Sequence, residues 1–142
     1  MTPPLLYVDD EENDALLLQI ALEQAAIVVP LQLAANGVQA LDYLLGRGGF
    51  ADRARHPLPQ LVLLDFKLPL VGGLQVLERM REEPSLRAIP VVMFSSSPQP
   101  SDQQRARELG ATDYWVKPTG MDGFIAVAKL LRERWLSPGQ DQ

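Results

Sequence analysis

The sequence predicts an α/β fold, a parallel sheet with helices on both faces, on three observations. Short apolar runs alternate five times with segments of helical periodicity, and that alternation specifies crossovers between parallel strands. The run Leu61-Val62-Leu63-Leu64 is apolar throughout, as a strand covered on both faces must be. The runs end on polar residues, with proline or glycine near several of the junctions, which marks where strands give way to helices.

In chain order, Leu5-Leu6-Tyr7-Val8 is the first strand, stopped by Asp9-Asp10. From about Glu12 to Ala26, the residues Leu16, Leu17, Ile20 and Ala21 recur at helical spacing. The acidic start of that helix suits the positive end of its dipole. Ile27 to Leu33 is rich in β-branched residues and predicts a second strand, which Pro30 assigns to a sheet edge. Asn36-Gly37 has the composition of a hairpin turn, but Val38, Leu41, Leu44 and Leu45 follow at helical spacing, so Asn36 is read as an N-cap. Gly46 to Pro59 forms a long loop into the central strand. Pro69 and Gly72-Gly73 then precede a helix carrying Leu74, Val76, Leu77 and Met80 and closed by Pro84. Pro90-Val91-Val92-Met93-Phe94 is a fourth strand, ending at Ser95-Ser96-Ser97. A mostly polar helix spans about Ser101 to Leu109, with Gly110 at its C′ position. Asp113-Tyr114-Trp115-Val116-Lys117 is the fifth strand, cut off by Pro118. Phe124, Val127, Ala128, Leu131 and Trp135 form the buried stripe of the last helix. Six residues follow Leu136, too few for a second domain, so the expectation is one domain over 1–142 with no output domain.

Composition narrows the function classes. The chain has 142 residues, of which 46% are hydrophobic, enough for a real core and too many for a disordered segment. It has no cysteine, which excludes disulfides, thiolate metal sites and cysteine nucleophiles. Its aliphatic runs fall far short of the ~20 residues that cross a bilayer. Met1-Thr2-Pro3-Pro4 carries no basic residue to open a signal peptide. The expected location is the cytoplasm, with no membrane association. Seven acids and no Lys or Arg precede Arg47, and the whole chain carries −5. Without a basic run, that charge argues against nucleic acid as a partner. The acidic cluster at residues 9–14 suggests instead a place that wants a cation.

In an open parallel sheet the residues that close the strands gather on one rim, where such sheets place their sites. Here they are Asp9 and Asp10, Asp65, Ser95 and Lys117. Taken alone, Asp65 reads equally well as a turn residue satisfying backbone N–H groups. The set as a whole points to a site. Crowded carboxylates raise one another's pKa unless a cation intervenes, and Mg²⁺ takes one or two carboxylates with phosphate oxygens and water. Lys117 and Ser95 lie where a charge and a donor could hold a phosphoryl group.

Val8-Asp9-Asp10, Leu64-Asp65 with Pro69 and Gly72-Gly73, Pro90 through Ser96, and Gly110 through Pro118 together resemble the response-regulator receiver domain, over essentially the whole chain. The resemblance implies a flavodoxin-like sheet of order 2-1-3-4-5. It implies that Asp65 is phosphorylated by a sensor histidine kinase. Asp10, Asp65 and the Lys67 backbone carbonyl would ligate Mg²⁺ directly, and Asp9 through water. Lys117 would pair with the phosphoryl oxygens, Ser95 stands where the family has Ser or Thr, and Tyr114 where it has a switching aromatic. Drawing Ser95 inward would vacate space for Tyr114 and change the face made by the fourth helix, fifth strand and fifth helix. A homodimer through that face is what the resemblance favours. Such a protein is a phosphoacceptor, not an enzyme, acting only on its own phosphorylation state. Asp14 four residues after Asp10, the long loop before the third strand, and a last helix running to Trp135-Leu136 resemble more narrowly the single-domain regulators that partner bacterial phytochromes.

Several residues keep plainer readings. Lys67 stands where that subfamily more often has a small amide; its ammonium either reaches the phosphoryl group or points to solvent. Asp14 reads first as a first-turn acid favoured by the helix dipole. Ser96 and Ser97 read as loop residues, and His56, the sole histidine, as neither ligand nor relay residue. Trp115 and Trp135 read as an exposed dimer patch, or Trp135 as packing at the helix end. Other functions fit the residues less well. A phosphorylation-independent interaction domain predicts a gap in the rim set, and there is none. An aspartyl phosphatase of the haloacid-dehalogenase type wants a second acid two residues after the nucleophile, where Lys67 stands.

Overall fold

The computed structural model describes residues 2–136. Eleven short elements follow one another: β1 (Leu5–Val8), α1 (Glu12–Gln24), β2 (Leu31–Ala34), α2 (Gly37–Leu45), a 3-10 turn (Gly48–Phe50), β3 (Leu61–Leu64), α3 (Gly73–Glu82), β4 (Val91–Ser95), α4 (Pro100–Glu108), β5 (Asp113–Val116) and α5 (Met121–Arg134). All strand pairs are parallel and the sheet order is β2-β1-β3-β4-β5, as the resemblance implied. The expected residues beyond Leu136 lie outside the described ones. Among the described residues no helix is long and apolar enough to cross a membrane.

The continuous apolar runs are explained by two cores. Because successive side chains of a strand point to opposite faces, Leu6, Val8, Val62, Leu64, Val91 and Met93 pack with Ala40, Tyr43, Val76, Leu77 and Met80 on one side. Leu5, Tyr7, Leu61, Leu63, Val92 and Phe94 pack with Leu18, Ala21, Phe124, Ala128 and Leu131 on the other. All the strand residues named are fully buried, each stabilising the fold by about 1.5–3 kcal/mol for an aliphatic or aromatic side chain.

The second strand departs from expectation. It begins at Leu31, not Ile27, because the chain turns out of α1 through Ala26, at φ +58°. The Ile27 N–H caps that helix on the Leu22 carbonyl at 2.9 Å. Proline then offers no N–H, and the ladder starts with the Pro30 carbonyl accepting from Leu5 N. Its edge position is as expected. Asn36 is an N-cap, its side chain accepting from Gln39 N at 2.8 Å, and Gly110, at φ +103°, ends the turn after α4. In the long loop, Arg53 donates to the carbonyls of Tyr43, Leu44 and His56, which satisfies the end of α2. His56 stands edge-on to Phe50 and Tyr43, so its place is structural. Trp115 and Trp135 do not form the exposed patch considered above. Both are half-buried against the second core, with ring centroids 5.6 Å apart.

One glycine fixes the site's backbone. A Cβ at Gly73 would overlap the Asp65 carbonyl oxygen, because the start of α3 folds back so that Gly73 N reaches the Phe66 carbonyl. Gly73→Ala is therefore expected to cost about 2 kcal/mol through overpacking. Urea unfolding checks this, a midpoint equal to wild type being the contrary result.

Candidate functional site

Parallel register brings the rim residues together. Val8 stands opposite Leu64 in the β1–β3 pair, so Asp9 and Asp65, the next residues along, leave adjacent strands side by side. Their backbones continue the ladder, Asp65 N donating to the Val8 carbonyl and Asp9 N to the Ala34 carbonyl, each at 3.0 Å. Ser95 pairs with Val116, and Lys117 N reaches the Ser95 carbonyl at 2.8 Å, which aims the lysine across the same rim. This is the point where the strand order reverses between β1 and β3, the usual ligand crevice of such sheets.

The Lys117 ammonium sits among three carboxylates. Its Nζ lies 2.7 Å from Asp9 Oδ2, 2.9 Å from Asp14 Oδ2 and 3.3 Å from Asp65 Oδ2. The Lys117 side chain is 11% exposed and that of Asp9 only 1%. Asp9 is further satisfied by the Tyr7 hydroxyl, which donates at 2.6 Å, and by Glu11 N at 2.9 Å. Lys67 N donates to Asp65 Oδ1 at 3.3 Å, while the Lys67 residue itself is exposed. Asp10 is exposed beside them, and one carboxylate oxygen from each of Asp9, Asp10 and Asp65 lies within 4.8 Å of the others.

The electrostatics follow from burial and crowding. Burial pushes the Asp65 carboxyl up to about 6; Lys117 opposes that rise and Asp9 adds to it. Burial works to lower Lys117, but the hydrogen bonds to Asp9 and Asp14 and the charges of Asp65 and Asp9 hold it above its ordinary value. Burial, then the bond to Asp9, raises the Tyr7 phenol. An acidic pocket closed by one internal ammonium is a typical divalent-cation site. The donor set fits a hard cation: all oxygen, with Asp10 facing solvent and Asp65 reluctant to stay ionised without a positive neighbour.

The structure unites Asp9, Asp10, Asp65 and Lys117, and places Ser95 on the neighbouring strand end, its Oγ accepting from Ser97 N at 3.1 Å. The roles of three residues at the site are not evident from the sequence. Asp14, read as a helix-dipole acid, is a direct partner of Lys117. Tyr7 lies in β1, and its i, i+2 spacing from Asp9, just past the strand end, puts both side chains on the same face. Ser97 is a loop residue as expected, and it joins several parts. Its hydroxyl donates to Asp102 Oδ2 at 2.6 Å and its carbonyl accepts from the Tyr114 hydroxyl at 2.8 Å. Tyr114 therefore does not wait outside a vacancy. It is already buried, its ring edge-on to Phe66 at 6.3 Å.

Comparison with known proteins agrees with this geometry. The family described as the response regulator receiver domain matches residues 5–129. The probable methanogenesis regulatory protein FilR2 of Methanothrix harundinacea (strain 6Ac) is 34% identical over 140 residues, covering 95% of this chain and 87% of that one. The chain also matches transcriptional regulators, of whose length it spans about half. Among solved structures, the phosphorylated cyanobacterial phytochrome response regulator RcpA superposes with a TM-score of 0.87 at 29% identity, covering 96% of each chain. The Mn²⁺-bound form of response regulator Rcp1 gives 0.83 at 28%, covering 95% of each. The bacteriophytochrome response regulator RtBRR gives 0.77 at 42%, covering 92% of this chain and 78% of that one.

Proposed function

The chain belongs to the response regulator receiver domain family, and from that premise we propose that it accepts a phosphoryl group on Asp65 from a phytochrome-type sensor histidine kinase in the cytoplasm. The observation that carries this reading is the Lys117 ammonium bridging Asp9 and Asp65 beside a third acid within cation-binding reach. Asp10 and Asp65, with the Lys67 carbonyl, would hold Mg²⁺ directly and Asp9 through water. When bound, the ion offsets the negative charge of the carboxylates and the phosphoryl oxygens.

The residues divide the work as follows. An Asp65 oxygen attacks the phosphorus of the kinase phosphohistidine in line. The O–P bond forms as the P–N bond breaks, and the imidazole leaves with the electron pair and takes a proton from solvent. Lys117 turns a donor toward the phosphoryl oxygens, and the Ser95 hydroxyl supplies another. Since the Ser95 Oγ now accepts from Ser97 N and the Ser97 carbonyl holds Tyr114, recruiting Ser95 alters the support of Tyr114 and of α4. In this reading the output is a contact made by the α4–β5–α5 face, where Val116 is exposed on the edge strand, and a homodimer is the favoured form. The phytochrome assignment is supported by the likeness to RtBRR and RcpA. It is tested by mixing the protein with an autophosphorylated bacteriophytochrome kinase and with an unrelated histidine kinase. Transfer within seconds from the first alone is expected, and equal or no transfer would contradict the assignment.

Cation affinity is expected to fall with acidity. Asp65 takes up a proton near pH 6, and proton and cation compete for that carboxylate. Below that pH, Mg²⁺ affinity should weaken by up to about tenfold per unit. Titration calorimetry between pH 5 and 8 reads this directly. A constant affinity from pH 5 to 7 would contradict it.

A further inference from the structure

We propose that Asp14 is a positioning residue that holds the Lys117 ammonium back from the phosphoryl group, so that the phosphorylated form is less stable than the rest of the site would permit. The proposal rests on the reading of Lys117 as the phosphoryl-binding residue. An ammonium has three N–H donors, and those of Lys117 face Asp9, Asp14 and Asp65. A phosphoryl oxygen gains a donor only by displacing one of these partners. The Asp65 contact is the longest at 3.3 Å, and the Asp65 carboxylate loses its charge and becomes a weaker acceptor once phosphorylated, so its donor is the one released. Asp14 differs from the other two partners in lying outside the trio whose oxygens converge for a cation. It comes from the first turn of α1 and grips Lys117 at 2.9 Å. Its side chain is 18% exposed, so solvent screens its charge only in part.

Charge acts in the same direction as geometry. Three carboxylates (Asp9, Asp14 and Asp65) face the Lys117 ammonium, with Asp10 beside Asp9 and Asp65, before any phosphoryl group arrives, and that group adds about −1.5 to −2. Asp14 therefore repels the incoming anion and competes for the cation that would hold it. Asn keeps the size and an acceptor oxygen for Lys117 while removing the charge, and Ala frees the donor altogether.

The test is beryllofluoride binding in Mg²⁺, followed by the decay of phosphoryl label from a small donor. Asp14→Asn is expected to bind beryllofluoride at least fivefold more tightly than wild type and to lengthen the phosphoryl half-life at least threefold. Asp14→Ala should move both readouts the same way. A merely structural acid would change the melting temperature without these gains. Unchanged or weaker binding in Asp14→Asn, with wild type binding normally, would overturn the proposal. Wild type that takes up neither beryllofluoride nor phosphoryl would overturn both the proposal and the reading beneath it.

Discussion

Asp65→Asn is expected to melt about 9 °C higher than wild type at pH 7.5 in chelator, while accepting no phosphoryl group at all. The loss follows from removing the nucleophilic carboxylate. The gain follows from linkage. The folded-state pKa of Asp65 is raised to about 6, above the ~3.9 of an unfolded chain. The folded protein therefore binds the extra proton between about pH 4 and 6, and metal-free stability falls as pH rises through that window. Asn escapes this penalty, which is about 3 kcal/mol, or about 9 °C for a domain of this size. The difference from wild type should be full above pH 6 and vanish near pH 4. Thermal melts across pH with a phosphoryl-labelling assay check both halves. A variant that melts below wild type at pH 7.5, or still takes up label, would contradict the account.

Lys117→Met should do the reverse. It removes the ammonium that neutralises Asp9, Asp14 and Asp65 and leaves carboxylates buried without a counter-charge. Breaking such a partnership costs about 3 kcal/mol, or about 9 °C. The deficit should shrink as pH falls, because the orphaned carboxylates then take up protons. It should also shrink when millimolar Mg²⁺ is added, since the added cation supplies the missing charge. Phosphoryl uptake should drop sharply even in Mg²⁺, because no donor remains in Lys117's place. A Lys117→Met protein as stable in chelator as wild type would mean that the acids do not depend on the ammonium.

Sequence and structure agree where local pattern decides and part where distance does. β1, β3 and β4 are legible because each is an apolar run ended by a polar residue, and α5 because Phe124, Ala128 and Leu131 recur on one face. The rim residues Asp9, Asp10, Asp65 and Lys117 are legible because each closes a strand in a parallel sheet. The start of β2 was misplaced because β-branched Ile27, Val28 and Val29 fit a strand, while the Ile27 N–H serves as a helix cap. Nothing local in the sequence marks that use. Asp14 was misread because its partner lies 103 residues away, and its position in a first turn already had a sufficient local reason. The inward Tyr114 depends on a carbonyl offered by Ser97, and composition does not reveal where a carbonyl points. Tyr7 was within reach, since i, i+2 spacing in a strand places its hydroxyl beside Asp9.

The most direct measurement is to locate the phosphoryl group. Wild type is incubated with Mg²⁺ and a small acyl-phosphate donor, digested in acid, and read by mass spectrometry. One base-labile phosphoryl group on the peptide carrying Asp65, absent when chelator replaces Mg²⁺, is the result predicted. Label on any other residue, or label that forms equally well in chelator, would contradict the account.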